Sequence, residues 1–70
     1  MSAASLEGRR FREVRGQGAP RVLEVLWVWP NAAGDLAMCR LVEGRGRART
    51  RVSVARLLSP VVFEEVEKTE

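Results

Sequence analysis

Histidine and tyrosine are missing from this chain, and cysteine and lysine each occur once among its 70 residues. Without histidine the commonest general base is gone and Cys39 has no imidazole to activate its thiol, so an enzyme is not expected. Cys39 is expected as a small buried hydrophobe. Asp35 falls in a turn and the glutamates lack the spacing that gathers ligands, so neither a metal nor a cofactor is expected. Two Trp and two Phe supply too few rings for a cage around a methylated side chain or an aromatic groove for a proline-rich ligand. One cysteine forms no internal disulfide, and no apolar stretch near residue 1 reads as a signal peptide, so the expected location is cytoplasmic. Long apolar runs are missing too: residues 25–29 form the longest, far short of a bilayer span, and no membrane partner is expected.

What remains is an ordinary globular composition, 46% hydrophobic and 30% charged, in a chain short enough to make one domain. A domain of this size buries only about 60% of the surface its unfolded chain exposes, which leaves a small core and no deep cleft for a small-molecule substrate. The net charge of +3 conceals a gradient. Residues 1–56 hold eleven arginines against five acids, while residues 57–70 hold Lys68 against four glutamates. The acidic end is either an electrostatic competitor for the basic body's ligand or a solvated terminus.

Arg45, Arg47, Arg49 and Arg51 occupy every second position, and side chains two apart on a strand point the same way. A strand there carries a one-sided cationic row, its guanidinium groups about 6.6 Å apart. Neighbours at that distance repel by only about 0.6 kcal/mol in water, so the row is tolerable without a ligand. Arginine grips phosphate with two parallel hydrogen bonds and stacks on bases, yet its excess over lysine also fits coding in a GC-rich genome. The row is therefore either an anion-binding surface or a soluble charged face. Arg9, Arg10, Arg12 and Arg15 form a second basic group, which the sheet could bring beside the row.

Along the chain, residues 8–14 read as a short first strand with Phe11 inward, and residues 15–20 as a loop. Residues 21–29 give the strongest strand signal. If Glu24 faces water, Leu23, Val25 and Trp27 turn to the core and Val22, Leu26 and Val28 form an apolar second face that packs under the C-terminal strand or on a partner. Trp27 and Phe11 are expected in the core, and Trp29, beside Pro30, is the candidate platform for stacking a base. Residues 30–35 are a hairpin connection. Residues 36–42 return with Ala37, Cys39 and Leu41 inward and Arg40 outward. Residues 43–46 turn again, 47–54 make a fourth strand bearing the arginine row, 55–60 a single helical turn ended by Pro60, and 61–66 a last strand.

Five short strands and one helical turn before the last imply an all-β protein, a small closed or nearly closed barrel. In the order of its elements, with the Arg21-Val22-Leu23-Glu24-Val25 run and Val52-x-Val54 leading into Arg56-Leu57-Leu58, the chain resembles an SH3-like barrel. It is also similar to small uncharacterised barrel proteins of actinobacteria and their phages. The expected organisation is a disordered N-terminus over 1–6, one SH3-like domain over 7–67 and a flexible acidic end over 68–70.

The leading expectation is a non-enzymatic module that binds DNA or RNA through backbone phosphates with weak sequence discrimination, using Arg45, Arg47, Arg49 and Arg51, with Arg9, Arg10, Arg12 and Trp29 as further contacts. The alternative is a protein-interaction or assembly adaptor, homodimeric or bound to another protein. An accessory regulator of a phage or mobile element is compatible with either.

Overall fold

Alternating apolar and charged residues form strands here wherever a neighbouring ladder can be closed, and glycine and proline end them. The computed structural model describes residues 6–14, 16 and 18–67. Its elements are β1 (Arg10–Glu13), β2 (Val22–Trp29), β3 (Leu36–Glu43), β4 (Arg49–Ser53), α1 (Val54–Leu57) and β5 (Phe63–Val66). Every pairing is antiparallel, and the order β4-β3-β2-β1-β5 makes one five-stranded sheet curled into a half-barrel, with the short helix before the last strand. The all-β architecture is the expected one.

The core gathers both ends of the described chain onto the concave face. Leu6, Phe11, Leu23, Val25, Ala37, Cys39, Leu57 and Phe63 are buried together, with Val28, Leu41, Val52, Val54 and Val62 packed around them. Phe11 and the trio Ala37, Cys39 and Leu41 take the inward places that alternation assigns them. Leu6, expected within the disordered N-terminus, instead belongs to this core. Residues 1–5 and 68–70 lie outside the described residues, as do Arg15 and Gln17 of the first loop. The helical turn forms because the Ser53 hydroxyl accepts a hydrogen bond from the Arg56 N–H at 3.2 Å and so caps the first turn. Its inward residue, Leu57, is 1% exposed and plugs the core between β4 and β5.

β2 departs from simple alternation. Val25 pairs with Cys39 and Trp27 with Met38, so Leu26 is an extra residue in the ladder, a β-bulge. One inserted residue inverts the parity of everything after it. Val28, expected on the outer face, packs against the core opposite Ala37, and Trp27, expected in the core, is 43% exposed. Val22 is also buried, so the continuous apolar outer face expected for this strand does not exist. Glu24 takes the outer face but is only 8% exposed, because Arg10 and Arg40 close over it.

Candidate nucleic-acid interface

The arginine row is split between a strand and the connection that precedes it. Arg49 and Arg51 lie on β4, opposite Arg40 and Met38 of β3. Arg45 and Arg47 precede the strand, which starts two residues later than expected. Gly44 and Gly46 take the chain out of the ladder with φ of 98° and 148°, conformations that side chains disfavour. The Leu41 N–H regains the ladder by donating to the Ala48 carbonyl at 2.8 Å. Strict two-residue periodicity therefore holds for Arg49 and Arg51, while Arg45 and Arg47 stand on the hairpin's bend.

That bend rests on a fixed platform. A Cβ on Gly44 would lie 3.0 Å from the Arg21 Cα, so only glycine permits this approach. Arg21 is held in turn by Glu13, its Nε donating to Oε1 at 3.0 Å and its Nη2 to Oε2 at 2.9 Å. The hydrogen bonds from Arg21 hold the Glu13 carboxyl below its ordinary range. Arg45 overhangs the resulting cleft, lined by Glu13, Gly18, Ala19, Arg21 and Gly44.

All four arginines of the row are exposed, and among the described residues none has a carboxylate within ion-pair distance. Met38, Arg47, Arg49, Thr50 and Arg51 line a shallow depression of about 330 Å³ on the outer face. Guanidinium groups can grip a phosphate with paired hydrogen bonds.

The second basic group is arranged differently. Arg9 grips Glu65 with two hydrogen bonds of 2.7 and 2.6 Å, which pull the Glu65 carboxyl below its ordinary range. Arg12 pairs with Glu64, directly opposite on β5, and Arg10 reaches Glu24 at 3.4 Å. Glu24 also accepts from Arg40 at 2.6 Å. Of the two arrangements left open, adjacent or apart, the sheet gives the second: β2 and β3 separate β1 from β4, three strand spacings or about 14 Å. Of the acidic C-terminal segment, Glu64 and Glu65 neither reach the row nor stand solvated alone, since they bind Arg12 and Arg9. Glu70 lies outside the described residues.

Of the two tryptophans, Trp29 is half-buried opposite Leu36, whereas Trp27 is the one on display. The sequence gives no turn residue at Leu26 to signal the bulge that places it there. Cys39 is fully buried, and burial pushes its thiol up to about 11. Among the described residues there is no cluster of His, Cys, Asp and Glu able to hold a metal ion, and no helix long and apolar enough to cross a membrane. Compared with protein-family models, curated proteins and solved structures, the chain matches none.

Proposed function

We propose that this protein is a non-enzymatic SH3-like module that binds nucleic acid through backbone phosphates, with Arg45, Arg47, Arg49 and Arg51 as its positioning contacts and little sequence discrimination. The order β5-β1-β2-β3-β4, with a helical turn between the last two strands in sequence, supports the SH3-like part of the reading. One observation carries the functional part. The arginines of β1 and Arg21 and Arg40 each have a glutamate, while the four of the β3–β4 hairpin have none among the described residues. Unneutralised guanidinium groups on one hairpin are the groups that release counterions when they meet a polyanion.

The test is the salt dependence of binding. Four phosphate contacts give a log–log slope of about −3.6 on duplex or about −2.8 on a single strand. Arg47→Ala with Arg49→Ala should reduce the slope by about two phosphate equivalents, and Arg9→Ala with Arg12→Ala should leave it near the parent value. An unchanged slope in the first pair removes the hairpin from the mechanism.

The adaptor alternative has one observation of its own: Leu58 and Val61 are 55% and 62% exposed beside the turn that follows α1. A tight dimer by light scattering, without salt-sensitive affinity for nucleic acid, would favour it.

A further inference from the structure

An indole lies open beside the free arginines. The Leu26 bulge puts Trp27 on the outer face, where it pairs with Met38, and Met38 pairs with Arg51. One line across three strands therefore reads Trp27, Met38, Arg51, with about 10 Å of backbone separation from end to end. Met38 floors the depression that Arg47, Arg49 and Arg51 surround. The Phe11 ring is covered by Arg9, whose guanidinium carbon lies 5.8 Å from its centroid, but among the described residues no cation covers Trp27.

A flat ring next to unpaired cations suits a ligand whose bases are accessible. In a duplex the base faces are buried in the stack, whereas a single strand can splay its bases onto an aromatic side chain while its phosphates meet the cations. We infer that the outer face of β2, β3 and β4 binds single-stranded nucleic acid, with a base stacked on Trp27 and the flanking phosphates on Arg49 and Arg51. This rests on the nucleic-acid reading above and assigns Trp27, rather than Trp29, as the stacking residue. The competing geometry inserts the β3–β4 hairpin into a major groove as a two-stranded ribbon, which leaves Trp27 outside the contact.

The experiment titrates the full chain with a dT oligomer of about ten nucleotides, a duplex of the same length, and inorganic polyphosphate, which has charge without bases. The oligomer should bind tightest and quench tryptophan fluorescence, and polyphosphate should not quench it. Trp27→Ala should weaken oligomer binding by about tenfold or more with the salt slope unchanged, and Trp27→Phe should restore most of the affinity. Because the side chain is exposed, circular dichroism of both variants should match the parent. If Trp27→Ala binds the oligomer as the parent does while Arg47→Ala with Arg49→Ala still flattens the slope, stacking is overturned and phosphate binding stands. Equal or tighter binding of the duplex, insensitive to Trp27→Ala, has the same meaning. Absence of salt-dependent binding to all three ligands overturns both.

Discussion

On the β1–β5 side of the sheet Arg9 and Arg12 are each matched by a glutamate, whereas on the β3–β4 side Arg45, Arg47, Arg49 and Arg51 face no carboxylate among the described residues. The two clusters look alike as sequence. What separates them is the strand each one meets. β5 sets Glu64 opposite Arg12 and Glu65 opposite Phe11, within reach of Arg9, while β3 sets Arg40 and Met38 opposite Arg49 and Arg51. Arg40 is already committed to Glu24. Charge counted along a chain is therefore a poor guide to charge presented by a sheet, because register decides which cations are neutralised within the fold.

Leu57 tests most strongly whether the two sides of the sheet belong to one folding unit. It lies on α1, which contacts both β4 and β5, the two edges of the sheet. Leu57→Ala should cost about 2–5 kcal/mol, a large share of the roughly 4–10 kcal/mol available to a domain of this size. A urea titration should show a single transition shifted to lower denaturant. Two separate transitions would mean that the hairpin and the β1–β5 side unfold independently.

A smaller effect comes from making the paired side resemble the free one. Glu64→Gln with Glu65→Gln keeps the shape of β5, releases Arg12 and Arg9, and raises the net charge from +3 to +5. On a long single strand the salt slope should steepen by one to two phosphate equivalents, about 0.7–1.4 in the log–log plot. An unchanged slope would show that the footprint stops at β3 and that position, as much as pairing, excludes Arg9 and Arg12.

Much of this architecture is legible in the residues. Gly44 and Gly46 mark the second hairpin, Pro60 follows the helical turn, and Arg40 sets the parity of β3, so that Ala37, Cys39 and Leu41 fall inward as alternation requires. Parity fails on β2 because a bulge can arise without a glycine or proline to announce it, and a run as apolar as 25–29 leaves either face plausible for Trp27. Leu26 is read as one residue among several apolar ones, although its extra place in the ladder is what exposes the indole. The candidate site was legible as a set of arginines, but not as a selection among them. Which carboxylate reaches which guanidinium depends on strand order and on contacts such as Arg9 with Glu65, 56 residues apart, and no local pattern encodes them.

Acid should narrow the contrast without any substitution. Hydrogen bonds from Arg9 and Arg21 hold the carboxyls of Glu65 and Glu13 below their ordinary range. A group whose pKa is depressed by folding contributes stability above its unfolded pKa, about 4.3 for Glu, and that contribution is lost as pH falls through the lower folded value. The arginine partners are raised, so their share is present at every pH below their already high ordinary value and does not enter this window. Stability should therefore decline as pH drops below about 4.3. The Glu65 pair is half exposed and worth at most about 1 kcal/mol, so Glu65→Gln should change the acid limb little. Glu13→Gln should flatten it more, because the Glu13 and Arg21 side chains are less exposed and carry Gly44 on their platform. Thermal midpoints of the parent and both variants at neutral and acid pH check the order. If Glu65→Gln removes more acid sensitivity than Glu13→Gln, the edge pairs rather than the Arg21 platform hold this side of the sheet, and the free hairpin owes its shape to something other than the support beneath Gly44.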